Sequence, residues 1–519
     1  MTSKWRGLLP LVVAVVSFGV FLAIASTRRI GTYDVETDFY GDYVPDAARL
    51  SEGQFPLNEF QGPGYPATLA VVEAATGDAF RAGRLISAAS AALVGFLAFV
   101  LFRDLFGDWA GLGAQLLVLV NGIFPTFAVT ASTDTFFVAL CMAAIVVFLR
   151  EGARPGVRVA AAGVLSGLAF LTRYNGVFLV PVFLVGLATL DSFGPRRRDR
   201  MRQTGLYLAI VFLTALPWLY ANQRHRGSAL FNRNYLNMAT LFYGDEIGAD
   251  MTGDGTAVAE TRFHSFGDVL RFKPVRILRR YPANLLASVR RSLSSSLVAP
   301  FLGLAAVLGA VLAPWRSRVA PRLLWLALLA VCYFLLMALN HWEPRYYLLP
   351  GVLYAGLAAF AIVRVARWLS EAGRNPRLAH AVGIAAFFVF WALSARASAE
   401  KVKAFIRSEP VEVLDACAYL RKEGVRDARI LARKPHLGAV CGQRVEGFPP
   451  VGSVEELKGW LATHPVDYVV FSDVEARRRA GLVALRDPAA APPWLDGVKI
   501  SSDPLYILYR YGVETTRQP

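Results

Sequence analysis

At about 150 residues per domain, a soluble chain of 519 residues would form about three domains, but here 55% of residues are hydrophobic, only 18% are charged, and the mean hydropathy is +0.41. A globular chain is about 25% charged, so a disordered protein, a collagen-like fibre and a small disulfide scaffold are all excluded. The 55 Lys and Arg against 39 Asp and Glu leave a net +16, which in so apolar a chain marks loops held on the cytoplasmic side and facing anionic lipid, with no nucleic-acid partner.

A bilayer core about 30 Å thick requires about 20 mostly apolar helical residues. The first such run is 8–26, behind Lys4 and Arg6; it is long for a signal peptide and no small-residue cleavage site closes it, so it reads as a retained span with a cytoplasmic N-terminus. Further runs lie at 85–102, 109–127, 135–149, 159–171, 177–190, 206–220, 297–313, 323–339, 347–363 and 381–395, for about 11 spans by the length criterion. The basic clusters Arg150, Arg154 and Arg158, Arg196 to Arg202, Arg316, Arg318 and Arg322, and Arg364, Arg367, Arg374 and Arg377 all fall in loops that this orientation places inside. The loop holding Arg103, Asp104 and Asp108 gives no support either way.

Two long loops, 27–84 and 223–294, then face outside together with the tail. The expected architecture is an α-helical polytopic membrane domain over 1–399 and an extracytoplasmic α/β domain over 400–519. Within the tail, 411–423 and 454–462 have helical patterning, the latter behind Ser453 with Glu456 three residues on, while 428–432, 467–471 and 506–509 read as strands. Cys417 and Cys441 lie in this tail, either bridged or as two buried apolar residues, whereas Cys141 and Cys332 fall within spans. With no CxxC, no phosphate loop, no GxGxxG and no HExxH, a zinc ribbon, ATP-driven transport and zinc proteolysis lack sequence support.

In the first loop Asp38, Asp42 and Asp46 are four residues apart, a spacing that would align them on one helical face, although Pro45 limits that helix. Such a face is either solvated acidic surface or the seat of a general base at the membrane boundary. Arg173 interrupts the apolar passage 159–190, Asp134 opens a span, Tyr174 and Asn222 close others, and His341, Glu343, Arg345 and Tyr346 cluster in the stretch 340–350. Charge at such depth is costly and turns towards a cavity or a partner; singly, each residue also fits an interfacial anchor in a belt with Trp218, Trp342 and Tyr347. All share the outer side with the acidic loop, which favours one site. A transferase on that side needs a donor brought by lipid; the planar guanidiniums of Arg173 and Arg345 suit a lipid phosphate, and a carboxylate suits removal of a hydroxyl proton.

On these residues the chain resembles the GT-C superfamily of polytopic glycosyltransferases, which includes the protein O-mannosyltransferases and the aminoarabinose transferase of lipid A. The resembling pieces, in the family's order, are TDFY (37–40) with Ala47, Ala48 and Gly53 downstream, GPGYP (62–66), GLAFLTRYNG (167–176), LPWL (216–219) with Asn222 and Gly227, and EPRYYLLP (343–350). The resemblance implies a catalytic Asp in the first outer loop and a polyprenyl-phosphate sugar donor. It points to Asp38, with Asp42 a live competitor because Phe39 stands where relatives commonly carry Glu after the Asp. It also implies that Arg345 meets the lipid phosphate, with Arg173, Tyr174, Asn222, His341, Glu343 and Tyr346 around the substrate. No cofactor or metal is expected. The acceptor would be an extracytoplasmic glycan, lipid or protein. A transporter or lipid flippase is the alternative, which calls for polar groups near the midplane and inverted repeats; an assembly scaffold is a third reading.

Overall fold

The structure, a computed structural model, describes residues 3–249, 253–372 and 376–512; Arg374, counted above among the basic loop residues, lies outside the described residues. The chain divides into two units. One runs up to Thr27 and resumes over Asp46–Ile406; the other joins Arg28–Pro45 to the chain from Arg407 onwards. Residues 28–45, which the sequence groups with the spans, thus fold with the tail.

The first unit is helical. Among the described residues, seven helices are long and apolar enough to cross a membrane, among them Gly7–Ser26, Ala79–Phe106, Arg197–Arg226 and Ala320–Met337. Three shorter apolar helices, Asp134–Leu149, Tyr174–Thr189 and Leu302–Leu312, match further predicted runs. Helices Gly7–Ser26 and Arg197–Arg226 leave Val15, Val16, Phe212 and Leu213 exposed. A helix apolar on its outward face is stable only against hydrocarbon, where its backbone is already satisfied internally. The predicted run 109–127 is not one span: it divides into Asp108–Leu119 and Phe124–Ala128. Gly122, at the turn between them, has φ +54°, and a Cβ there would stand 2.0 Å from the Leu297 carbonyl oxygen. Asn121 secures the break, donating to the Gly351 carbonyl (3.1 Å) and accepting from the Ala299 amide (3.0 Å). The segment 223–294 is itself folded: helices Asn234–Ile247, Phe266–Phe272 and Pro274–Ser292 gather around Leu236, Phe242, Tyr243, Phe263 and Val269.

The second unit carries a five-stranded mixed sheet of β1 (Arg429–Leu431), β2 (Arg444–Glu446), β3 (Tyr468–Ser472), β4 (Leu495–Ser502) and β5 (Leu505–Tyr511), in spatial order β2-β1-β3-β5-β4. β1 runs parallel to β2 and β3, while β5 is antiparallel to β3 and β4. Every residue of β3 is buried, which accounts for its unbroken apolar sequence. β1, β3 and part of β5 are the predicted strands; β2 and β4 lack the apolar run that marks a strand in the sequence. Ser453 caps the helix Val454–Thr463, accepting from the Glu456 amide at 3.1 Å, as its spacing predicts.

Cys417 and Cys441 are bridged, with Cα atoms 5.4 Å apart, tying helix Val411–Lys422 to helix His436–Cys441. Closing a loop of this size restricts the unfolded chain and contributes about 2–4 kcal/mol. Cys441→Ser, or reductant added to the wild type, is therefore expected to raise the susceptibility of the tail to proteolysis while helices of the first unit stay protected. Hydrogen exchange resolved by segment checks it.

Candidate active site

Two charged positions of the first unit share one local design. Helix Pro155–Thr172 ends at Arg173, whose backbone is extended (φ −145°, ψ 127°), and the chain resumes in the tight turn Tyr174–Phe178. Glu343 is likewise extended (φ −131°, ψ 138°) and leads into the tight turn Pro344–Tyr347, where Pro344 sits at the first position and so loses no backbone bond. Breaking the helix at these points turns a side chain out of the apolar stack. Gly62, in the GPGYP turn, packs directly on the first of these breaks: a Cβ there would lie 2.3 Å from the Leu171 carbonyl oxygen. A glycine is therefore required two residues' distance from where Arg173 leaves its helix.

The side chains from the two breaks meet. Arg173 Nη1 donates to Asp134 Oδ1 (2.5 Å) and Thr133 Oγ1 (3.0 Å), all three residues being buried. Arg345 Nε lies 2.7 Å from Glu343 Oε2, and His341 Nε2 hydrogen-bonds Glu343 Oε1 at 3.1 Å. The Tyr346 ring receives both guanidiniums, Arg173 at 5.1 Å and Arg345 at 5.5 Å from its centroid. Burial alone would raise the Glu343 carboxyl, but the His341 bond and the Arg345 and Arg173 charges outweigh it and hold it at about 2. The Arg345–Glu343 pair is therefore ionised at every physiological pH, and each guanidinium is held by its own carboxylate. Arg291, at the end of Pro274–Ser292, adds a third guanidinium 5.6 Å from the Trp342 ring. It carries no distinguishing signal in a helix that also bears Arg276, Arg279, Arg280 and Arg290.

Tyr174 and Asn222 enter a different network. The Tyr174 hydroxyl accepts from Trp218 Nε1 at 3.0 Å, and the Asn222 amide reaches towards the carbonyls of Ala229 and Phe231 at 3.4 and 3.5 Å. Arg226 donates to the carbonyls of Pro56, Leu57 and Asn58 at 3.0–3.2 Å, and Asp46 accepts from the amides of Leu57 (2.6 Å) and Asn58 (3.0 Å). This network braces the segment ahead of the GPGYP turn.

In the second unit, the helical turn Glu36–Asp38 runs into a π-helical turn, Phe39–Tyr43. The wider turn breaks the four-residue register, so the expected single acidic face does not form: Asp38 is half-buried and Asp42 exposed. Asp46, the third of the series, is buried on the two amides just named. Ahead of Asp38, buried Arg28 is bidentate on Glu36 (2.7 and 2.5 Å) and reaches Glu409 at 3.1 Å. Among the described residues no group of three His, Cys, Asp or Glu is placed to hold a metal ion.

With helices long and apolar enough to cross a membrane, guanidiniums partnered at helix breaks and a separate α/β unit, the chain has a fold of the GT-C type. Residues 61–220, which include the GPGYP and Arg173 segments, match the family described as dolichyl-phosphate-mannose-protein mannosyltransferase. The fold is similar to that of ArnT from Cupriavidus metallidurans bound to undecaprenyl phosphate (15% identity, all of both chains, TM-score 0.58). It is equally similar to the oligosaccharyltransferase AglB from Archaeoglobus fulgidus in complex with an inhibitory peptide and a dolichol-phosphate (13% identity, all of this chain and 75% of that one, TM-score 0.60). No curated protein matches the chain by sequence.

Proposed function

We propose that this protein is an inverting membrane glycosyltransferase that moves a sugar from a polyprenyl phosphate to an extracytoplasmic glycan, lipid or protein. The observation that carries this reading is the pair of guanidiniums, Arg173 and Arg345, held by Asp134 and Glu343 and both packed near the Tyr346 ring. Their charges are balanced pairwise, and Arg291 supplies the surplus cation that an anionic phosphodiester calls for. As the bond from the anomeric carbon to the phosphate oxygen breaks, its electron pair leaves on the lipid phosphate, and fixed cations stabilise that growing charge without reorganising. Asp38 takes the proton of the acceptor hydroxyl while that oxygen bonds to the anomeric carbon from the opposite face, which inverts it. The lipid phosphates named with ArnT and AglB support the donor class. The bridged Cys417 and Cys441 support an oxidising, extracytoplasmic side for the tail, with the N-terminus and the Arg196–Arg202 loop in the cytoplasm.

The test is to extract lipid from the purified protein for mass spectrometry and to supply synthetic polyprenyl-phosphate hexoses and pentoses with envelope fractions. Co-purified polyprenyl phosphate and acceptor-dependent release of polyprenyl phosphate are expected. No bound lipid and no release from any donor would sink the assignment.

A further inference from the structure

The sheet of the second unit has the form in which α/β proteins usually bind a ligand. β1 lies between two parallel neighbours; from its end the chain turns through His436–Cys441 to β2 on one side, while β3, on the other side, leads into helix Asp473–Arg478. The connections after β1 and β3 thus diverge, and the crevice beyond their carboxyl ends is the common ligand position of such sheets. Here the chain's own segment 28–45 enters it. Tyr33 lines the crevice together with Lys434, His436, Ser472, Glu475 and Tyr506. His436 is fully buried, hydrogen-bonds the Thr32 carbonyl at 3.0 Å and meets the rings of Tyr33 and Tyr40 edge-on at 4.9 and 4.8 Å. Its imidazole is pushed down to about 4 by burial, with Lys434 adding to the effect, so it stays neutral at physiological pH and its contacts do not switch there.

Lys434, three residues beyond β1, makes the most specific of these contacts. Its ammonium donates to the Tyr33 carbonyl at 2.7 Å and to Thr37 Oγ1 at 2.9 Å, spanning the turn that ends in Asp38. Asp38 and Asp34 attract this ammonium, and Arg433 and Arg478 repel it. Tyr33 is further engaged by Glu412, from the helix Val411–Lys422. Glu475, also in the crevice, accepts from the Ser472 amide through Oε2 at 3.0 Å.

We infer that Lys434 is a positioning residue for the reaction proposed above: the α/β unit uses its ligand crevice to hold the Asp38 turn, and Lys434 fixes that turn through the Tyr33 carbonyl and the Thr37 hydroxyl. This rests on the reading of Asp38 as the general base. The tail then serves the chemistry of the first loop, and its crevice is filled by the protein itself and not by an acceptor.

The test compares Lys434→Gln, Lys434→Met and Lys434→Arg with the wild type and with Asp38→Asn in full-length protein, measuring kcat and the KM for a synthetic polyprenyl-phosphate sugar. Gln keeps a donor for the Tyr33 carbonyl; Met removes it. In Lys434→Met kcat is expected to fall at least about tenfold with the donor KM unchanged, with a smaller loss in Lys434→Gln, and Lys434→Arg is expected to recover most of the rate. Folding is checked by the Cys417–Cys441 bridge and thermal unfolding, and Lys434→Gln decides the matter if Met at this position prevents folding. Wild-type kcat in folded Lys434→Met, or in Lys434→Gln where Met does not fold, alongside an inactive Asp38→Asn, overturns the inference and leaves the base assignment standing. A fully active Asp38→Asn overturns the base assignment, and the inference with it.

Discussion

Asp38→Asn is expected to retain donor binding and to lose between about 10² and 10⁴ in kcat, the range that a general base contributes. The amide has nearly the shape of the carboxylate, so the turn and its attachment through Thr37 and Lys434 persist, but it cannot accept the acceptor's hydroxyl proton. Asp42 is the control. It stands on the π-helical turn with its side chain exposed, whereas Asp38 is half-buried beside an ammonium, and Asp42→Asn is expected to stay near wild type. Single-turnover transfer from a synthetic donor, with donor affinity measured separately, distinguishes loss of chemistry from loss of binding. Activity lost in Asp42→Asn and kept in Asp38→Asn would reassign the base; activity kept in both would remove a carboxylate base from the scheme.

The parts of this architecture that were legible in the sequence are those governed by a single strong energy term. Spans could be read because about 20 apolar residues have few alternatives to a bilayer, and Arg173, Glu343 and Arg345 stood out because an ion within or beside such a run is costly unless partnered. The break at Asn121 and Gly122 was hidden, since its neighbours are as apolar as those of a continuous helix and its cause, the approach of Leu297, is 175 residues downstream. The four-residue spacing of Asp38, Asp42 and Asp46 pointed to one acidic face because it assumed an α-helical repeat. A single wider turn gave the three residues three different environments. Asp134 was visible as an ionisable residue at the start of a span, but its pairing with Arg173 was not, and Arg291 was one arginine among many. Lys434 was missed for a related reason: a lysine in a soluble tail has no cost to explain until residues 33–37 are found against it.

Arg345→Ala is expected to weaken binding of a polyprenyl phosphate by about 10- to 150-fold, the equivalent of the roughly 1.5–3 kcal/mol that a hydrogen bond to a charged group contributes. Part of that loss arises from Glu343, left beside His341 without its cation. Because Glu343 is held at about 2 in the intact cluster, far below its ordinary 4.5, it is ionised throughout the working range. Its pairing stabilises the fold above pH 4.5 and is lost only as pH falls through about 2. Removing Arg345 relaxes that hold, so some acid-dependent gain in stability of the variant relative to wild type is expected below pH 4.5. Arg345→Lys is expected to recover little donor affinity, since an ammonium cannot grip Glu343 and a phosphate oxygen with the same rigid fork, nor lie flat on the Tyr346 ring. A double variant, Arg345→Ala with Glu343→Gln, separates the two contributions: it removes the stranded carboxylate, and the affinity still missing belongs to the guanidinium and the phosphate. Titration of undecaprenyl phosphate into detergent-solubilised protein measures all four forms. Equal affinity across them would place the lipid phosphate elsewhere and leave the pair of breaks at Arg173 and Glu343 with a purely structural role.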